Sequence, residues 1–466
     1  MADTNFFKTK PFEHQSEALH VGWNLPEFGY FMEMGTGKSK VLIDNLGMLY
    51  QSEQIDFALI IAPKGVYRNW VAKEIPEHMS EQVPHRVIRW VSGPNKKQAE
   101  EMRSVKDKFE GLTIFVMNVE SFSTVRDQKA GQWLSRAFGP KGMIAIDEST
   151  TIKNPKAKRT KNLIKIANGF KFRRLLTGSP VTKSPMDIFA QFEFLRQGLL
   201  GFESFYGFQG RYAIMNKVKM GAAAFNQIVG FRNLDDLNMR VDRYTFRVLK
   251  KDCLDLPEKI YTSRYVGLTQ DQHKMYQQIK EHAMVVLGDM DFVTAPMVIT
   301  QLLRLQQVLC GHLKTDDGHT VTFPSKRMDA LLEVIEEHDG KAIIWSRFRH
   351  DIQQIVENLN KVHGEGCAAA YYGDTSDDER QRIVEDFQKP HSRLKYFVGN
   401  PATAGYGITL TEANLVVYYA NDFNLETRIQ SEDRAHRIGQ KNNVTDIGAK
   451  VLGEEARQWL TLTPPK

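Results

Sequence analysis

The chain has 466 residues, with 62 Lys and Arg against 56 Asp and Glu and a formal net charge of +6. That length holds two or three ordinary domains with cores of their own, and so small a surplus allows a polyanionic partner without demanding one. Cys253, Cys310 and Cys367 show neither metal-ligand nor disulfide-framework spacing, and no run is apolar for long enough to cross a bilayer, so three free thiols and a cytoplasmic protein with no membrane partner are expected.

Near the start, Lys10-Pro11-Phe12-Glu13-His14-Gln15 reads as a helix start that brings the Gln15 amide close enough to the next motif to meet a purine edge. That motif is Met34-Gly35-Thr36-Gly37-Lys38-Ser39, which follows a short apolar run at Tyr30–Met32 and leads into a segment with apolar residues at helical spacing. Strand, glycine loop and helix together make a phosphate cradle. The glycines let successive N–H groups face one concavity, and the helix adds its positive end. Lys38 would reach the outer phosphates of ATP and Ser39 would ligate Mg²⁺. The strict phosphate-loop pattern asks for glycine at position 32, where this chain has Met32.

The runs 57–62, 113–118 and 143–148 then read as buried parallel strands, with helical segments between them. The third run ends in Asp147-Glu148, a pair of carboxylates at the carboxyl edge of the sheet. Asp147 can hold Mg²⁺ and Glu148 can orient or deprotonate the attacking water. From Lys153 to Arg174 there are nine Lys or Arg and no Asp or Glu, which suits either a solvated helix face or a phosphate-backbone contact surface. Within it, Lys153, Lys156, Lys158 and Arg159 are the candidate DNA contacts. Arg174-Leu175-Leu176-Thr177-Gly178-Ser179-Pro180 is a further strand closing in a small-residue loop.

From Gly201 strand signals are absent until Lys259, so a helical insertion is expected, its aromatics Phe202, Phe205, Tyr206, Phe208 and Tyr212 forming local core. The segment 302–309 is also expected to be helical. A second alternating set follows: strands at 341–346, 368–373, 394–399 and 415–419, with Ser376 capping a charged helix. A glycine-bearing loop at 404–410 precedes Gln430-Ser431-Glu432-Asp433-Arg434-Ala435-His436-Arg437-Ile438-Gly439-Gln440. On a helix Arg434 and Arg437, three apart, share a face and can serve one anion. Lys64, Asn118, Ser346, Arg347 and Thr403, at or just past the ends of strands, complete the candidate DNA contacts.

The ordered strings MGTGKS (34–39), DE (147–148) followed by IKNP, LTGSP (176–180), GYGITLTEAN (405–414) and QSEDRAHRIGQ (430–440) resemble those of the superfamily 2 DNA and RNA motors, and within them the Swi/Snf-type DNA-dependent ATPases. The resemblance implies an α/β protein with two RecA-like lobes: 1–200 binding ATP, a helical insertion and linker at 201–325, and 326–466 as the helicase C-terminal lobe. It places ATP between the lobes, with Gln15 on adenine, Gly35, Thr36, Gly37, Lys38 and Ser39 around the phosphates, and Gly407 sensing the nucleotide. Lys38, Asp147, Glu148, Gln430, Arg434 and Arg437 form the implied catalytic set, the two arginines acting as fingers. The implied activity is ATP-driven movement on duplex or branched DNA that remodels junctions or protein–DNA complexes. A strand-separating helicase and a nucleotide-gated DNA clamp are the alternatives. Departures from the pattern are Thr150, where His is usual, and Ser179, where Thr is common. Similarity fades after Gln440, as expected of a minimal bacterial or phage-type motor.

Overall fold

In the computed structural model the described residues are 6–220, 223–288, 295–315, 317–404, 408–422 and 424–451. They form two compact units, Met1–Asp255 and Leu256–Lys466.

The first unit contains β1 (Glu27–Met32), β2 (Phe57–Ala62), β3 (His85–Arg89), β4 (Leu112–Asn118), β5 (Gly142–Asp147), β6 (Phe172–Leu176), β7 (Ala213–Met220), β8 (Ala223–Phe231) and β9 (Thr245–Val248). Seven of these make a sheet in the order β3-β4-β2-β5-β6-β1-β9, parallel at every junction. The inner strands β2, β4 and β5 are buried along their whole length, as continuous apolar runs covered on both faces must be. The edges are mixed. β3 reads His-Arg-Val-Ile-Arg and keeps only Ile88 fully buried, which explains why it escaped a search for apolar runs.

The second unit contains β10 (Lys259–Val266), β11 (His312–Lys314), β12 (Thr320–Thr322), β13 (Lys341–Trp345), β14 (Ala368–Tyr371), β15 (Tyr396–Gly399), β16 (Ala413–Tyr418) and β17 (Val444–Val451). Six form a second all-parallel sheet, β10-β17-β16-β13-β15-β14. β11 and β12 pair as a small antiparallel hairpin. Ser376 caps the helix Asp377–Phe387, its Oγ accepting from Glu379 N–H at 3.3 Å. Two parallel sheets flanked by helices are the RecA-like pair expected from the sequence.

The stretch after Gly201 is a correction. It holds helices, but also an antiparallel hairpin, β7–β8, and the edge strand β9. The hairpin residues mix Asn, Lys, Gly and Ala with isolated apolar positions, so neither a continuous run nor a clean alternation marks them. The aromatic group divides as well. Phe202, Phe208 and Tyr212 interlock edge to face at 4.8–5.5 Å, and Tyr212 Oη donates to Asp236 at 2.8 Å. Tyr206, expected in that core, is 70% exposed.

Candidate functional site

In the first sheet β6 lies between β1 and β5, so the glycine loop after β1, the small-residue loop after β6 and the acidic pair after β5 emerge side by side. Gly35 and Gly37 adopt φ +82° and +88°, and Gly37 starts the helix Lys38–Gln51. A Cβ at Gly37 would stand 2.1 Å from Gln15 Nε2, and one at Gly178 would stand 3.0 Å from Met34 N. Both loops thus pack closely on their neighbours, and at Gly37 the positive φ also favours glycine.

The first helix supports the loop from beneath. His14 Nε2 and Gln15 Nε2 lie 2.8 and 2.9 Å from Thr36 O, and Gln15 Oε1 accepts from Phe12 N–H at 3.0 Å. The Gln15 amide, expected at a purine, is turned to the loop backbone here and is buried. Thr36 Oγ1 donates to Glu33 O at 2.7 Å, and Glu33 Oε2 accepts from Lys250 N–H at 2.7 Å, which ties the loop to the end of β9.

Lys38 and Asp147 are both buried and within electrostatic reach of each other. Burial pushes the Asp147 carboxyl above the usual carboxylate range, while the Lys38 ammonium and the Trp70 indole pull it back. Trp70 Nε1 donates to Asp147 Oδ2 at 2.9 Å and the Glu148 N–H to Oδ1 at 3.1 Å, fixing the carboxylate plane. Glu148 has φ +52° and ψ +64°, the left-handed region, so the chain turns as it leaves β5. Ser149 Oγ then donates to Gln191 Oε1 at 2.6 Å, and Gln191 Nε2 donates to Pro180 O at 2.7 Å, so one buried amide joins the acidic motif to the LTGSP loop.

Trp70, Gln191 and Glu33 were not singled out from the sequence. Trp70 opens a π-helical turn, Trp70–Glu74, a local geometry common at working sites, but nothing in the residue string announces it.

In the second unit, Arg434 is fully buried. Its Nε donates to Gln430 O at 2.9 Å and its guanidinium to Ile408 O at 3.1 Å, and Arg437 reaches the same carbonyl at 3.4 Å. The two arginines do converge, but not from a shared helix. The helix Leu425–Glu432 stops before them, and turns carry the chain through Arg434 to Gly439 at φ +99°. Glu432 and Asp433 sit where the helix presents its negative end, an unfavourable place to continue. Gln440 fastens the turn, Nε2 donating to Thr411, Ala413 and Ala435 carbonyls at 2.8–3.1 Å. Gly407 lies outside the described residues.

The candidate DNA contacts separate by exposure. Lys64, Lys156 and Lys158 are exposed, and Lys153, Arg159, Arg347 and Thr403 are half-buried. Asn118 is buried, its Oδ1 capping the turn at Ser121. Ser346 is also buried and donates to Asp351 Oδ2 at 2.8 Å, so neither residue offers a side chain to a surface partner. Two members of the basic run also point inward. Arg174 is buried and donates to the carbonyls of Gly22, Trp23 and Pro26, and Arg173 donates to Leu195 O. What remains as surface charge is the part from Lys153 to Lys171.

Cys253, Cys310 and Cys367 are unbridged. Among the described residues no helix is long and apolar enough to cross a membrane, and no cluster of three His, Cys, Asp or Glu could hold a metal. A Mg²⁺ that arrives with a polyphosphate needs only one or two protein ligands, and the chemistry of Asp147, buried near the Lys38 ammonium, and of Ser39, in the first turn of the helix after the glycine loop, fits that need.

The SNF2-related domain matches residues 30–314 and the helicase conserved C-terminal domain residues 326–439. The chain is similar to an ATP-dependent helicase of Mycoplasma genitalium, 26% identical over 419 residues, covering 88% of this chain and 37% of that protein. It is likewise similar to an ISWI chromatin-remodeling complex ATPase of Arabidopsis thaliana, 27% identical over 430 residues, with 88% and 37% covered. It therefore spans less than two fifths of the length of these relatives. Among solved structures it is similar to the Sulfolobus solfataricus SWI2/SNF2 ATPase core in complex with dsDNA, at 24% identity, 97% and 90% coverage and a TM-score of 0.45.

Proposed function

The chain belongs to the SNF2-related family of ATPases, and on that premise we propose that it couples ATP hydrolysis to movement along duplex or branched DNA, remodelling junctions or protein–DNA complexes. The observation that carries this reading is that Lys38 and Asp147, both buried, lie within electrostatic reach at the carboxyl edge of one sheet, beside a glycine loop with Gly35 and Gly37 at φ +82° and +88°.

The loop amides and Lys38 hold the phosphates of ATP. Ser39 and Asp147 would hold Mg²⁺, which when bound polarises the phosphate oxygens. Glu148, which follows Asp147 on a left-handed backbone, orients the attacking water and takes its proton. Arg434 and Arg437 supply the positive charge that the transferring phosphoryl group calls for, so turnover needs both units. The acid-free run from Lys153 to Lys171, with Lys156 and Lys158 exposed, supports a polyanionic track.

The test is ATP hydrolysis measured against single-stranded, duplex, forked and four-way DNA and against RNA. Duplex-containing DNA is expected to raise turnover by about tenfold or more over the nucleic-acid-free rate. Equal stimulation by single-stranded RNA, or none by any DNA, would overturn the proposal.

A further inference from the structure

The β7–β8 hairpin belongs to neither large sheet, and its base is anchored. Ala213, Ile228 and Phe231 pack on the core of the first unit, and Arg232 donates to Gly210 O at 2.7 Å. Beyond that base Ile214, Met215, Asn216 and Lys217 on β7, and Asn226, Gln227 and Val229 on β8, are all exposed. A two-stranded ribbon wetted on both faces has little to hold it folded on its own, and its outer edges are open to a partner.

Its chemistry is one-sided. From Arg211 to Arg232 there are two Arg, two Lys and no Asp or Glu. The register pairs Asn216 with Gln227 and Lys217 with Asn226, so one face presents two amides and the other a lysine beside an amide. The ribbon also continues the basic surface. Lys156 places its ammonium 6.0 Å from the centre of the exposed Tyr206 ring, and the helix bearing Tyr206, Phe205–Tyr212, runs directly into β7.

We propose that this ribbon enters the major groove of the duplex on which the chain acts, Asn216 and Gln227 meeting base edges while Lys217 reaches a phosphate. The inference rests on the proposed DNA-dependent activity and adds to it a contact made away from the nucleotide site. The dimensions suit it. Paired strands lie about 4.8 Å apart, and a groove about 12 Å wide admits a two-stranded ribbon. Amides are the side chains that pair with adenine edges there. An acid-free ribbon matches a polyanion, whereas a protein partner of mixed charge would leave its lysines unanswered.

Binding of the full chain to a labelled duplex, titrated across salt concentrations, tests this. A second duplex carries bulky groups at the pyrimidine 5-positions, which fill the major groove and leave the phosphates untouched. The native chain is expected to bind the blocked duplex about tenfold more weakly. Asn216→Ala with Gln227→Ala should bind both duplexes alike, with an unchanged melting temperature. Lys217→Ala should lower the slope of log affinity against log salt by about one.

Equal binding of both duplexes by the native chain, or discrimination kept by the double variant, overturns the groove contact. So does a defect confined to forked DNA, which would make the hairpin a strand-splitting pin, or one confined to a protein partner. Duplex-stimulated hydrolysis by the native chain, measured alongside, keeps the two failures apart. Stimulation without groove discrimination sinks the ribbon alone, while discrimination without stimulation sinks the motor and leaves the ribbon.

Discussion

Asp147 and Glu148 are neighbours in sequence with different surroundings, and that difference supports the separate roles proposed for them. Asp147 is held by an indole N–H and a backbone N–H beside a buried ammonium, the setting of a carboxylate kept fixed to hold a cation. Glu148 leaves the sheet on a reversed backbone and is half-buried, which suits a group that must meet water. Glu148→Gln keeps the shape and removes the base, so hydrolysis should fall by at least about a hundredfold while ATP affinity changes little. Turnover and nucleotide binding measured on the same preparation check this, and loss of binding together with turnover would count against the assignment. The glycine loop and the acidic strand end were legible as elements because both are local patterns. Trp70 and Gln191 were not, since what each does depends on a partner far along the chain that only the folded sheet brings near.

Inner strands announced themselves as apolar runs, and the edges did not. β3 and β9 are only partly buried and carry Arg and Thr or His among their apolar residues, and β17 carries Asp446 in its middle, so none forms a continuous run. The arginine motif was legible as a motif and misread as an element, because convergence on Ile408 comes from turns. Asp446 itself has a measurable effect. It is buried with neither carboxylate oxygen hydrogen-bonded, and burial, then the charge of Glu432, pushes its pKa up to about 8. The unfolded carboxyl titrates near 3.9. Between those values the folded chain keeps a proton that the unfolded chain has lost, so stability falls as pH rises through the window and levels off above it. Melting curves from about pH 5 to about pH 8 should show this decline, and Asp446→Asn should flatten it and melt higher than the native chain at the alkaline end. An identical slope in the variant would show that another group governs the window.

For the molecule as a whole, the two units carry unequal parts of the chemistry. The first carries the glycine loop with Lys38, Asp147 and Glu148, and the second carries Arg434 and Arg437, which converge on the Ile408 carbonyl. If both are needed for turnover, Arg437→Lys should lower the hydrolysis rate by about 10³ and leave ATP affinity near its native value. Arg434→Lys should do the same and also lower the melting temperature, because the Arg434 guanidinium is buried against Gln430 and Ile408 carbonyls that a lysine cannot satisfy together. Turnover, nucleotide affinity and melting recorded for both variants decide it. A rate that survives Arg437→Lys would restrict hydrolysis to the first unit.

On the role proposed for Glu148, its left-handed backbone puts stability and turnover in competition at one residue. Glycine would adopt that conformation without cost and asparagine at little, so about 1 kcal/mol or more of strain is carried there, which the proposed need for a carboxylate accounts for. Selection for thermal robustness alone would drift position 148 away from Glu, towards a first unit that is firmer and inert.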